Sequence, residues 1–135
     1  MVAARRDDAL SGEVSMGAAE RRHATKLIAI EMERYRGARQ SADDIAAWCA
    51  LERAHIIAQP FFGPHLAAHW QMAQFALALR DWREAAGQMY RLALVPLGSL
   101  TGRLPSGNTG RARVSAFKPM PVPPDLAAAI SSDDK

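Results

Sequence analysis

Three of the four histidines lie between positions 55 and 69, at spacings that suit metal binding. His65 and His69 are four residues apart in a predicted helix, so their imidazole rings project from one helical face. His55 lies near the end of the preceding predicted helix. The short Phe-Phe-Gly-Pro connection places its ring at the same height as that of His65. Because imidazole nitrogens are good ligands for first-row transition ions, this arrangement predicts a metal site between two antiparallel helices.

Three further side chains are candidates for completing this site. Glu52 precedes His55 by three residues, the Glu-x-x-His spacing of helical carboxylate–histidine sites, and is predicted as a fourth ligand or as an acceptor for a ring N–H. Met72 follows His69 by almost one turn, and its soft thioether would favour copper if it joined. Glu31 falls in an apolar stripe, either at the margin or pointing inward as a ligand or ion-pair partner. The predicted cofactor is therefore a transition metal ion, zinc or copper.

The same residues admit a second interpretation, in which the histidines are structural. They would then bond to Glu52 or to backbone carbonyls, and the protein would be an interaction module rather than a metal-binding one. Cys49 lies well round its helix from His55, which argues against a Cys–His nucleophile pair. A Glu52–His55 acid–base pair stays open, but no substrate pocket can be inferred, so the sequence predicts no catalytic residue and no organic cofactor.

Helical periodicity and capping signals divide the first 97 residues into four predicted helices. The first runs from Ala18 to Arg36 and closes at Gly37. The second begins in a capping box at Ser41 and ends before Pro60. The third begins at Pro64 and runs to about Arg80. The fourth begins at Asp81 and ends at Pro96, and its predicted inner face is Trp82, Ala85, Ala86, Met89, Leu92 and Ala93.

A weak internal similarity links the second and fourth helices. Asp81-Trp82 stands where tetratricopeptide repeats carry their turn, and the period of that repeat is about 34 residues. The matching apolar positions are Ala47, Leu51 and Ala54 in the second helix, and Ala85, Met89 and Leu92 in the fourth. The predicted fold is therefore all-α, with four helices in two antiparallel tetratricopeptide-like hairpins.

The composition changes at Gly98, where a stretch rich in glycine and proline begins. It retains apolar anchors, so we predict an extended tail that packs back across the helices, with Phe117 buried, and that could close over the histidines. A short helical turn is predicted at 125–130. The predicted organisation is a disordered arm (1–17), a helical domain (18–97), a docked tail (98–130) and a disordered end (131–135).

Charge and hydropathy narrow the classes of partner. The net charge of the 135 residues is +3, and residues 1–97 carry 12 basic and 11 acidic residues, which argues against the dense basic face of a nucleic-acid-binding domain. No apolar run is long enough to span a membrane. The single cysteine, Cys49, excludes an internal disulfide and fits a reducing compartment, so the predicted location is cytoplasmic. A protein partner is the remaining macromolecular candidate.

Several short motifs together resemble one known family. They are Leu-Glu-Arg-Ala-His at 51–55, His65, His69-Trp70, Arg80-Asp81, Gly87-Gln88, Gly98-Ser99, Gly-Asn-Thr-Gly at 107–110 and Phe-Lys-Pro-Met-Pro at 117–121. The chain is similar, over roughly residues 20–130, to a bacterial domain-of-unknown-function family, number thirty-seven-oh-three. The resemblance implies an all-helical, stand-alone bacterial domain, and it implies no assigned activity.

Overall fold

The computed structural model of the chain describes residues 3–102 and 107–132. It contains five α-helices, which are α1 (Ala3–Gln40), α2 (Asp44–Ala58), α3 (Phe62–Ala78), α4 (Trp82–Thr101) and α5 (Pro124–Ser131). The prediction of an all-helical protein is confirmed, since these residues include no strand. The number of helices differs, because the turn predicted near position 125 is a helix of 8 residues.

Two helices extend beyond their predicted ends. α1 begins at Ala3 rather than Ala18, since no proline interrupts residues 3–17. It also runs past Gly37 to Gln40 and ends where Ala42 adopts a left-handed φ of 55°. α4 continues through Pro96 to Thr101 and ends at Gly102, whose φ is 67°. Three segments of the predicted organisation lie outside the described residues: 1–2 of the arm, 103–106 of the tail and 133–135 of the end.

Aspartates begin two of the helices that carry the site. The Asp81 carboxylate accepts a hydrogen bond from the backbone N–H of Glu84, so α4 starts where the sequence predicts. Asp43, rather than Ser41, caps α2 by accepting from the N–H of Ala46. α3 starts at Phe62, two residues before the proline that was predicted to begin it. These caps set the positions at which the short turns between helices begin and end.

Each of the first four helices packs against its neighbour in sequence, and α5 packs on α1. One apolar core contains Trp48, Leu51, Met72 and Phe75. A second core, which includes Ile56 and Ile57 of α2 and Leu126 of α5, packs against partly buried side chains of α1. The tetratricopeptide-like arrangement of the hairpins stays a prediction.

The buried face of α4 is largely polar, which contradicts the predicted inner face except at Ala85, which is buried in the first apolar core. Trp82 and Met89 were expected inside, but both are exposed. Glu84, Gln88 and Arg91, at helical spacing, are buried instead. The tail supplies backbone hydrogen-bond partners for these three polar side chains, so they can be buried. A prediction from hydrophobicity alone therefore assigns the wrong side of α4 to the interior.

The tail lies on α2 and α4 through polar anchors rather than through Phe117, which is 63% exposed and contradicts its predicted burial. Arg91 of α4 donates to the backbone oxygens of Arg111 and Val114. Gly87 makes the approach close, since a Cβ atom there would lie 2.4 Å from the Cβ of Ala112. The tail is therefore held by hydrogen bonds to α4 and to α2, the helix that carries His55. Within the described part of the chain, no helix is long and apolar enough to cross a membrane.

Candidate metal centre

His55, His65 and His69 converge at the junction of α2 and α3. His55 lies in the last turn of α2, and the connection of three residues reverses the chain so that the first turns of α3 face it. His65 and His69 then point to the same side because 3.6 residues make one turn. All three are buried, at 1%, 3% and 2% exposure respectively.

The rings meet through their Nε2 atoms. The Nε2 of His55 lies 3.0 Å from that of His65 and 3.2 Å from that of His69. Two nitrogens bound to one tetrahedral zinc ion at 2.0–2.1 Å would lie about 3.3 Å apart. The two distances from His55 are therefore close to the spacing that a shared ion requires, and all three ligand atoms lie within 4.8 Å of one another. Within the described residues, these three histidines form the one group of potential ligands close enough to hold an ion.

The opposite nitrogens of two rings are held by fixed acceptors. The Nδ1 of His55 donates to the backbone oxygen of Asn108, at 2.9 Å. The Nδ1 of His69 donates to the Oε1 atom of Gln88, at 2.7 Å. The Gln88 amide cannot turn round favourably, because its Nε2 donates both to Glu84 and to the backbone oxygen of Gly110. Outward N–H donation of this kind orients histidines that bind metals.

This pattern leaves two lone pairs facing each other. A neutral imidazole carries one N–H, and in both His55 and His69 that hydrogen is on Nδ1. The two Nε2 atoms, 3.2 Å apart, are then both acceptors, so their contact is not a hydrogen bond. Such a contact is repulsive unless a cation, or a hydrogen-bond donor such as the Nε2–H of His65, lies against the two nitrogens. A metal ion would turn this repulsion into coordination.

Burial keeps the rings in the neutral form that a metal needs. It lowers the pKa of His65 and of His69 to about 4, and the positive charge of Arg91 acts in the same direction. Burial also lowers the pKa of His55 well below its ordinary value, and the two neighbouring histidines add to this effect. At neutral pH the rings therefore do not take up a proton that would relieve the repulsion between the two lone pairs. Among the described residues, the Nδ1 of His65 is buried without a hydrogen-bond partner, so this ring is the least constrained of the three.

A turn of the tail fixes the carbonyl that orients His55. Asn108, which is 1% exposed, donates through Nδ2 to the backbone oxygens of Ser115 and Lys118, and its Oδ1 accepts from the N–H of Gly110. Gly110 has a φ of 82°, and a Cβ atom there would lie 3.0 Å from the ring of His55. Only glycine therefore lets the turn pass this close to the triad.

The structure does not bring the other predicted ligands to the triad. The Oε1 of Glu52 accepts from Arg111, whose guanidinium stacks 3.7 Å over the ring of Trp48. Met72 is buried in the apolar core. Glu31 is buried and points inward, but as an ion-pair partner of Arg53, at 2.9 Å, and of Arg34. The site therefore consists of three histidine nitrogens.

Sequence reasoning missed the side chains that support the triad. Gln88 and Arg91 were passed over because the apolar residues of α4 were assigned to its inner face. The pattern that could have indicated them is the helical spacing of Glu84, Gln88 and Arg91, which form one polar stripe on α4. The structure buries this stripe. Asn108 belongs to the Gly-Asn-Thr-Gly motif at 107–110, but a short motif does not reveal which residue its carbonyl faces.

Fold and site together define a small all-helical protein with a buried triad of histidines, two of which are oriented by outer hydrogen bonds. The family profile described as Protein of unknown function (DUF3703) matches residues 22–130. The chain belongs to this family, as its short motifs predict. No curated protein and no solved structure matches the chain.

Proposed function

We propose that this protein binds one first-row transition metal ion through the Nε2 atoms of His55, His65 and His69. The observation that carries the proposal is the contact of 3.2 Å between the Nε2 atoms of His55 and His69. Since both rings donate outward through Nδ1, both nitrogens offer lone pairs to the same point. Neutral, pre-oriented imidazoles are the form in which histidine binds metals.

The ligand set favours a divalent ion of borderline softness, and zinc is the natural reference. Three imidazole nitrogens suit zinc, nickel and copper(II). The case for copper(I) weakens, because the thioether of Met72 lies in the apolar core rather than beside the triad. Without a carboxylate or thiolate ligand, the ion keeps a fourth position open. We propose a binding role rather than a catalytic one, in the cytoplasm, where the thiol of Cys49 would stay reduced.

Metal titration of purified, metal-free protein tests this proposal. We expect one equivalent of zinc to bind, measured by calorimetry and by elemental analysis after gel filtration. His65→Ala and His69→Ala should each weaken zinc affinity by roughly tenfold to a hundredfold or more, since loss of even an outer-shell partner has effects of that size. His23→Ala is the matched control, because the Nε2 of His23 bonds to the backbone oxygen of Ala129, away from the site.

Zinc binding that is equal in wild type, His65→Ala and His69→Ala would overturn the proposal. So would a wild-type protein that retains no zinc, copper or nickel. In that case the triad would be a structural cluster of neutral histidines.

A second candidate function, binding of a protein partner, is favoured by the outer face of α4. This apolar face consists of residues that are all exposed, Trp82, Met89, Leu97 and Leu100. Exposed apolar surface of this kind is typical of interaction sites. We propose an apolar helix of another protein as the partner, because residues at helical spacing form a ridge that packs into such a helix.

Capture of a partner from the native host, with and without zinc, tests this alternative. A partner held equally in both conditions, and lost in the double variant Met89→Glu/Leu97→Glu, would support it. Ile30→Glu is the control, since Ile30 is an exposed apolar residue of α1. Concentration-dependent self-association in sedimentation velocity would assign the surface to a second copy of the chain instead. No capture and no self-association would reject the interaction function.

A further inference from the structure

A cavity of ≈ 40 Å³ adjoins the histidine triad. Besides the three histidines, its lining includes Gln59, Arg91 and Phe117. One water molecule needs roughly 10–15 Å³, so there is room for a water or for a small anion of a few atoms. Phe117 is exposed, so the cavity lies next to the protein surface on that side. The triad therefore adjoins a space that a small ligand can enter.

The charges around this cavity leave a divalent ion uncompensated. The lining includes no carboxylate among the described residues. Beyond it, Arg111 pairs with Glu52 at 3.1 Å and with Glu84 at 3.2 Å. Arg91, which is buried, adds a second positive charge, so these two carboxylates offset only the two guanidinium groups. Three neutral imidazoles add no negative charge, and an uncompensated double charge in a buried site is unfavourable.

Two polar side chains of the lining have unused donors. Arg91, which is buried, uses Nη2 to hold the tail, at the backbone oxygens of Arg111 and Val114. Its Nε and Nη1 have no hydrogen-bond partner among the described residues. Gln59 is 6% exposed, and its amide likewise makes no hydrogen bond within the described part of the chain. None of these free N–H groups is among the buried unpaired atoms of the described residues, so the donors are accessible, and the cavity is the space they share.

We propose that a small carboxylate-type anion, of the size of formate or bicarbonate, binds in this cavity between the triad's metal ion and the side chains of Arg91 and Gln59. This proposal rests on the proposed metal-binding function and names the ligand class of the same site. One oxygen completes the coordination of the metal, and the other accepts from the guanidinium, whose donors suit a carboxylate. The small cavity limits the anion to a few non-hydrogen atoms.

Titration of the cobalt(II)-loaded protein with sodium formate tests the proposal, because the visible absorption of cobalt(II) reports its ligands. We expect a saturable spectral change with formate and none with benzoate, which exceeds the cavity. Arg91→Met should weaken formate binding by roughly tenfold or more, the effect of losing a hydrogen bond to a charged group. Arg91→Lys keeps the charge and should restore most of the affinity.

Arg91 also anchors the tail, so circular dichroism and cobalt affinity must first show that Arg91→Met is folded and loaded. Gln59→Leu is the second variant, since it removes the other donor and leaves the anchor intact. It should weaken formate binding while cobalt affinity stays unchanged.

Failure of the wild-type protein to bind cobalt, zinc, copper and nickel would overturn the metal-binding function and this proposal together. Cobalt binding without any response to formate would overturn the anion site alone. A response that is equal in wild type, Arg91→Met and Gln59→Leu would also overturn it, because the anion would then contact the metal without these side chains.

Discussion

The Nε2 atoms of His55 and His69 lie 3.2 Å apart, although each ring donates its one hydrogen outward through Nδ1. The outward bonds run to a backbone carbonyl of the tail and to a glutamine of α4. Tail and α4 therefore act together on α2 and α3, and they hold two acceptor nitrogens against each other. Four predictions follow from this relationship and from its surroundings.

The metal-free protein should lose stability as the pH falls below about 6.5. The folded state holds the pKa of His65 and of His69 at about 4, whereas the unfolded chain has the ordinary value of 6.5. Below pH 6.5 the unfolded state therefore binds more protons, and stability decreases until the pH reaches about 4. At pH 5 the loss should be about 2 kcal/mol for each histidine, at 1.36 kcal/mol per unit.

Urea unfolding of the metal-free protein at pH 7.5 and at pH 5.0 measures this loss. The double variant His65→Gln/His69→Gln is the control, and its stability should depend much less on pH. A wild-type protein that is equally stable at both values would contradict the low pKa of the triad.

Gly110→Ala should weaken both stability and zinc affinity. The φ of 82° is unfavourable for alanine, and the added methyl group would lie 3.0 Å from the His55 ring. We expect a loss of about 1–3 kcal/mol in the free energy of unfolding. Displacement of the ring should reduce zinc affinity by roughly tenfold, as for other outer-shell changes.

Gly37→Ala is the matched control for this substitution, because its Cβ atom would meet nothing within 4 Å. In the interior of α1 it should raise stability by about 0.5–1 kcal/mol, the usual gain of alanine over glycine in a helix. Thermal melts and zinc titrations of both variants make the comparison. Equal zinc affinities would show that Gly110 does not position His55.

Gln88→Met should reduce zinc affinity by roughly tenfold to a hundredfold without removing a ligand. The substitution keeps the length of the side chain but leaves the Nδ1 of His69 without its acceptor, so the ring loses its fixed tautomer. Calorimetric titration with zinc gives the affinity. Gln74→Met changes an exposed glutamine of α3 and should leave affinity unchanged. Similar affinities for the two variants would argue against orientation of His69 by Gln88.

Glu52→Gln should leave zinc affinity within about threefold of wild type, because this carboxylate contacts Arg111 rather than the triad. Its stability should fall by at most about 1 kcal/mol, the usual range for a partly exposed ion pair. Zinc titration and urea unfolding provide the two measurements. A drop of tenfold or more in affinity would restore Glu52 as a ligand, as its spacing from His55 first indicated.

Local rules in the sequence predicted the starts of α2 and α4 and the core of the site, but not the start of α1 or the continuation of α4 through Pro96. The caps at Asp81 and near Asp43 begin α4 and α2, because a carboxylate satisfies N–H groups within its own first turn. The spacing of His65 and His69 places both rings on one face whatever surrounds the helix. The short turn after α2 then brings His55 beside them.

Spacing within one helix could not decide whether Glu52 joins the site. Glu52 stands three residues before His55, yet its carboxylate turns to Arg111, 59 positions further along the chain. Met72 satisfies the helical spacing equally well, but it packs into the apolar core beside Phe75. Residues three and four apart share a face of the helix, but the neighbours across that face determine which contacts form.

The sequence by itself determined that the chain is helical and that three histidines meet at one junction, because both depend on contacts close in sequence. Only the tertiary structure decided that α4 buries Glu84, Gln88 and Arg91, and that the carbonyl of Asn108 faces His55 across 53 positions. Hydrophobic periodicity cannot indicate a buried polar face, since its hydrogen-bond partners lie in a distant, irregular segment. The tail supplies these partners, because its backbone oxygens bond to His55 directly and to Gln88, which orients His69.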